Sequence, residues 1–121
     1  MAVTVTRQGN EIAVSISETS ASSSTESTIT LGVQKFRVLR QLCQVTSGTA
    51  ATVDPILART SGGSGINVLL ENDTAAATCD NSVTGGVVCF SSDGVVYHKS
   101  VPNAGSDNAI SAEYAILVGW E

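Results

Sequence analysis

The stretch AISAEYAILVGWE near the C-terminus alternates without a break, with Ile110, Ala112, Tyr114, Ile116, Val118 and Trp120 on one face and Ser111, Glu113, Ala115, Leu117 and Gly119 on the other. A period of two is that of a β-strand with one packed face. It runs to within one residue of the last position, so it predicts a packed strand and no loose tail. At the other end AVTVTR alternates Val3 and Val5 with Thr4 and Thr6, Gln8-Gly9-Asn10 reads as a turn, and EIAVSIS sets Ile12, Val14 and Ile16 on one face. The two segments predict an opening hairpin. INVLLEN, GGVVCFSS and GVVYHKSV read as further strands, the last two separated by Ser92-Asp93-Gly94, a strong hairpin signal.

Three stretches fit less simply. ITLGVQKFRVLRQLCQVT opens and closes with strand alternation, but if extended it is apolar on both faces over residues 34–44. An extended chain there needs burial on both sides or a bulge near Val38-Leu39. Wound as a single short helix, it gathers Phe36, Leu39, Leu42 and Cys43 on one side and Arg37, Gln41 and Gln44 on the other. The β-rich neighbours and the Ser47-Gly48 turn favour the strand. ETSASSSTEST, residues 18–28, has no large apolar anchor and reads as a flexible loop, or as an arm that orders against a partner. Residues 47–65, with Asp54-Pro55 and Gly62-Gly63-Ser64-Gly65, read mostly as loop held to the core by PILA.

Six to eight short strands, frequent turns and no alternation of strand with helix predict an all-β chain, an antiparallel β-sandwich or jelly roll. A length of 121 residues and 42% apolar content suit one domain over 1–121 with one modest core. With two Phe, two Tyr and one Trp, that core is built mainly from Val, Ile, Leu and Ala. The 16 serines and 13 threonines outnumber the 6 Lys and Arg. Hydroxyl-rich, weakly charged outer faces result, and they suggest an oligomer that covers some of the outside.

A formal charge of −5 argues against nucleic acid and against a membrane surface, because both are held by fields of Lys and Arg. The nearest thing to a basic patch is Lys35, Arg37 and Arg40, either a solvated strand face or a contact for protein carboxylates. No basic start and apolar run follow Met1, and no stretch approaches a membrane span, so synthesis in soluble form in the cytoplasm is expected. Cys43, Cys79 and Cys89 do not make a secreted disulfide framework. Cys79 and Cys89 flank the turn signal Thr84-Gly85-Gly86 and are a candidate disulfide across a hairpin; buried free thiols are the alternative.

Candidate chemistry is thin. His98 is the single histidine, with no CxxC pair or second histidine to complete a metal site, so a structural role outweighs ligation or service as base to a cysteine nucleophile. Gly62 to Gly65 precede a strand instead of opening a helix, which fails the phosphate-loop context. Glu71, Asp73 and Asp80 with Asn72 offer oxygen ligands, but their spacing is not that of an EF-hand, and a solvated loop is the better reading. No metal, cofactor or catalytic residue is expected, and no GxSxG marks a hydrolase.

The segments TLGVQKFRVL, PILARTSGGSGINVLLENDTAAATC, SSDGVVYHKSVPNAGSDN and AEYAILVGWE cover more than half the chain. They resemble small β-rich structural proteins of tailed bacteriophage particles, above all capsid decoration (cement) proteins and related β-sandwich modules of tails and fibres. The resemblance implies a non-catalytic homo-oligomer, often a trimer, that sits on assembled major capsid protein in the virion and stabilises it. It transfers no site residue. The alternative is a tail or fibre module that binds a host-surface carbohydrate or protein. Tyr97, Tyr114 and Trp120 are its aromatic candidates, of which Tyr114 and Trp120 are better spent in the core.

Overall fold

The computed structural model of the protein describes residues 2–21, 24–47, 52–71, 77–103 and 110–120. Among these residues the chain forms nine strands: β1 (Ala2–Gln8), β2 (Glu11–Ala21), β3 (Thr25–Thr30), β4 (Lys35–Ser47), β5 (Thr52–Ala58), β6 (Val68–Glu71), β7 (Thr78–Phe90), β8 (Val95–Asn103) and β9 (Ile110–Trp120). A single 3₁₀ turn, Gly65–Asn67, precedes β6. Two antiparallel sheets result, ordered β1-β2-β9-β4-β7 and β3-β8-β5-β6. No described helix is long and apolar enough to cross a membrane.

The pairings are nested. β5 pairs with β6, β4 with β7, β3 with β8 and β2 with β9, all antiparallel, as if the chain were one long hairpin with its apex at residues 59–67. That hairpin is rolled so that β4 also meets β9 and β5 also meets β8. This is jelly-roll topology, with β1 added at one edge through the expected hairpin: Gln8 pairs with Glu11 around Gly9-Asn10, and Gly9 takes the left-handed φ of 60° that the tight turn needs. The C-terminal strand β9 lies at the centre of the five-stranded sheet.

Alternation places one face of each sheet inside. Ile12, Val14, Ile16, Phe36, Val38, Ile116 and Val118 come from the five-stranded sheet, and Ile29, Val53, Leu57 and Val96 from the other; all are buried in one cluster. Burying each such side chain stabilises the fold by roughly 1.5–3 kcal/mol relative to exposure. A polar seam crosses the same interior. Tyr114 hydroxyl is hydrogen-bonded to Ser100 Oγ and to Glu18, and Thr25 Oγ1 donates to Glu18 Oε1. Asn81 Nδ2 donates to Gln41 Oε1 at 3.3 Å, and Gln41 Nε2 lies 3.4 Å from His98 Nε2.

Several sequence expectations change here. Residues 34–44 are not a helix: β4 runs through them, and its ladder shifts between Val38 and Arg40, as a bulge requires. The segment 18–28, expected as a flexible loop or arm, contributes the end of β2 and the start of β3. Polar residues enter strands there because neighbouring strands supply partners: buried Glu18 is bonded by Thr25 of β3 and Tyr114 of β9, and buried Ser27 pairs with His98 of β8. Within 47–65, β5 replaces expected loop. Its Pro55 falls just beyond the last β6 pairing, Ile56 with Glu71, so the missing N–H leaves no gap in that ladder. The turn at Ser92-Asp93-Gly94 is real, but it does not close a hairpin: β7 belongs to one sheet and β8 to the other.

Candidate functional site on the outer face of β4 and β7

The bulge in β4 decides where its cations point. Phe36 and Val38 face inward, Leu39 is the extra residue, and Gln41 and Cys43 face inward again. Lys35, Arg37 and Arg40 therefore share the outer face; without the bulge Arg40 would follow Val38 into the core. β7 answers with its own irregularity: Val38 pairs with Val87 but Arg40 with Ser82, so residues 83–86 leave the ladder. Arg37 NH1 donates to the Gly85 carbonyl at 3.1 Å and holds this excursion down. Gly86 is needed beneath it, because at its φ of 77° an added Cβ would meet Arg37 Cβ and Leu39 Cδ2 at 2.9 Å each.

The three cations are not equivalent. Arg40 is tied to Asp80 in a bidentate pair, Nε to Oδ1 at 2.9 Å and NH2 to Oδ2 at 2.7 Å, which raises the guanidinium and lowers the carboxyl in pKa. Lys35 stands opposite Phe90 and Arg37 opposite Val88. Phe90 is 55% and Val88 69% exposed, so two cations of β4 and two apolar side chains of the terminal strand β7 share one patch. A groove of about 330 Å³ runs along Lys35, Arg37, Val88 and Phe90.

The cysteines are arranged otherwise than the turn signal implied. Cys79 and Cys89 lie on the same strand, β7, and pair with Cys43 and Phe36 respectively. Seven residues of β4 separate those partners, roughly 23 Å along a strand, so a Cys79–Cys89 disulfide is excluded by distance. Gly85-Gly86 make a bulge and not a hairpin, which is why the flanking cysteines never face each other. Cys79 instead faces Cys43 directly, and their thiols are hydrogen-bonded. All three thiols are free. Burial pushes Cys43 up to about 12 and raises Cys79 and Cys89 too, the opposite of what activates a nucleophilic thiol.

His98 is 1% exposed and lowered to about 4 by burial. Its Nε2 accepts from the Gln41 amide, and its ring packs on Tyr114 with centroids 4.8 Å apart. Asp80, one of the oxygen ligands considered, is committed to Arg40, while Asp73 lies outside the described residues. Among the described residues no group of three His, Cys, Asp or Glu side chains is placed to hold a metal ion. The glycine run at 62–65 is anchored by Glu26, whose carboxylate accepts from Ser61 Oγ at 2.5 Å and Gly62 N–H at 2.7 Å and is lowered by them. Nearby, a second cleft of about 440 Å³ is lined by Arg59, Asn67, Phe90, Asp93 and Tyr97. Asp93 is largely spent there on its own turn, accepting from Ser91 Oγ and the Val95 N–H.

The exposed pair Val88 and Phe90 was missed in the sequence. Its signal was available: VVCF is apolar on both faces, which at a sheet edge must leave one face uncovered.

No family model matches the chain, and no curated protein matches it. Among solved structures, a chain in the structure of infectious bursal disease virus, Gx strain, is similar over 89% of this chain at 10% identity, with a TM-score of 0.38. This chain spans about a third (32%) of that chain's length.

Proposed function

We propose that this protein is a non-catalytic virion structural protein that binds and stabilises an assembled phage capsid, with major capsid protein as its partner. The observation that carries the reading is the patch on β4 and β7, where Lys35 and Arg37 flank exposed Val88 and Phe90 at the terminal strand of a sheet, unpaired on its outer side among the described residues. Apolar anchors ringed by charge suit attachment to protein, and exposed apolar side chains on a small domain mark interaction surfaces. The rest of the molecule supports a passive role: its histidine is buried and its thiols are raised in pKa. Many copies, as a homo-oligomer with a trimer favoured, attach to a repetitive shell through modest contacts that add by multivalency.

The test is light scattering on the purified chain, then co-sedimentation with emptied phage shells stripped of decoration. A discrete oligomer that pellets with shells, and an Arg37→Glu variant that pellets less, is the expected result. A chain that stays in the supernatant at every shell concentration refutes it.

The second cleft favours one other reading. Phe90 and Tyr97, with Arg59 and Asn67 beside them, combine aromatic rings with polar groups as saccharide sites do, which fits a tail or fibre module that binds host-surface carbohydrate. Binding to host cells competed by free sugar, with no binding to shells, would move the assignment there.

A further inference from the structure

The edge of β7 carries more information than its side chains. Ser91 N–H donates to the Gln34 carbonyl at 2.8 Å, so in this ladder Ser91, Cys89 and Val87 turn their backbone groups toward β4. Val88 and Phe90 therefore turn their N–H and C=O groups away from it. β7 is the terminal strand of its sheet, and among the described residues no strand pairs with it on that side. The two residues with outward backbone groups are thus the two with exposed apolar side chains, and each is opposite a cation, Lys35 or Arg37.

We infer that the 87–90 edge of β7 accepts an extended, acidic segment of a partner protein, which adds as a sixth strand to the five-stranded sheet. Backbone hydrogen bonds to Val88 and Phe90 supply register, apolar side chains of the segment cover these two residues, and its carboxylates reach Lys35 and Arg37. A second copy of the chain is the poorer occupant. Pairing β7 with β7 would lay both copies' Lys35 and Arg37 along one continuous face, gathering like charge. Unprotected edges also invite indiscriminate pairing, and β7 lacks the usual protection at 87–90: it has neither an inward-pointing charge nor a proline there. The inference rests on the capsid-attachment reading only for the source of the segment.

The experiment is an NMR titration of the ¹⁵N-labelled chain with the peptide Glu-Thr-Val-Thr-Val-Thr-Glu-Thr, which as a strand sets its valines and glutamates on one face, as Val88, Phe90, Lys35 and Arg37 are on theirs, and with the same peptide carrying lysine for glutamate. The expected result is movement of the Val88 and Phe90 amide resonances, with at least tenfold weaker binding of the lysine peptide. Val88→Pro removes one outward N–H without breaking the ladder to β4 and should weaken the glutamate peptide at least tenfold. If that variant fails to fold by circular dichroism, the Lys35→Glu, Arg37→Glu double variant replaces it and should reverse the peptide preference. No movement at 87–90 with millimolar peptide, equal response to both peptides, or a folded Val88→Pro chain that binds normally would overturn the inference. So would concentration-dependent self-association abolished by Val88→Pro, which assigns the edge to a second copy. Shell co-sedimentation separates the two proposals: peptide binding without shell attachment refutes the capsid reading alone, and full shell attachment by Val88→Pro refutes the edge alone.

Discussion

Acid should destabilise this protein through one residue before it touches the carboxylates. His98 is held near 4 by burial, against an ordinary 6.5, with Gln41 donating to its Nε2 and the Tyr114 ring packed against it at a tilt of 52°. Its folded-state value is depressed, so the unfolded chain takes up the proton first. Stability is complete above about pH 6.5 and is lost as pH falls toward about 4. Full use of the shift is worth about 3 kcal/mol, of which about 2 kcal/mol is gone by pH 5. Against a typical 5–15 kcal/mol for a domain, that is a large fraction. Glu26, Asp80 and Asp93 are also lowered, and they too lose stabilising interactions in acid, but their ordinary values of 4.5 and 3.8 confine them to lower pH. Urea titrations followed by circular dichroism at pH 8, 6.5, 5.5 and 5 separate the two regimes. The midpoint should fall steadily below pH 6.5, and His98→Gln should flatten that slope whatever it does to stability at pH 8. A flat wild-type profile from pH 8 to 5, or a slope unchanged in His98→Gln, would show that His98 is not the buried neutral group described.

Excess oxidised glutathione should join Cys43 to Cys79, releasing two reduced glutathiones per bond, slowly at pH 7 and faster as the pH is raised, because burial keeps both thiols protonated. The product loses two thiols by Ellman titration in denaturant, Cys89→Ser leaves the reaction intact, and Cys79→Ser abolishes it. The loop closed spans 37 residues, so the bond should add about 4 kcal/mol in the chain-entropy treatment, read as a raised urea midpoint. Gly86→Ala combines a φ of 77° with two contacts at 2.9 Å and should cost roughly 2–3 kcal/mol, while Gly9→Ala, with nothing within 4 Å, should cost about 1 kcal/mol. Comparable losses at the two sites would contradict the packing of 83–86 on β4. Tyr114→Phe withdraws the hydroxyl shared by buried Ser100 and Glu18 and should lower stability by about 1–3 kcal/mol, measured in the same denaturation assay.

Strand alternation was legible wherever one face is apolar throughout. Ile12, Val14 and Ile16, and the run from Ile110 to Val118, admit a single assignment of faces, because a slip of one residue would turn the whole set to solvent. The Gly9-Asn10 hairpin was legible for a similar reason, since its strands meet through the turn itself. The cationic trio was visible as a cluster, and the bulge at Val38-Leu39 that aligns it was visible as an apolar conflict.

What composition could not disclose was partnership. Residues 18–28 look unanchored because their anchors, Tyr114, His98 and Ser100, come from β8 and β9. Cys79 has its partner on β4 and not across the nearby glycines, and Arg40 is tied to Asp80 by a register no local pattern carries. Turn signals at 84–86 and 92–94 marked changes of direction without saying which sheet received the chain. Alternation and turns are properties of a few consecutive residues, so the sequence by itself determined the strands with one continuously apolar face, β2 and β9 above all, and not the polar start of β3 or the proline-bearing β5. The rolling of one nested hairpin, which pairs β2 with β9 and puts Val88 and Phe90 on the terminal strand of a sheet, was decided by the tertiary structure. Only there do both sheets bury their apolar faces together and the buried polar groups find partners.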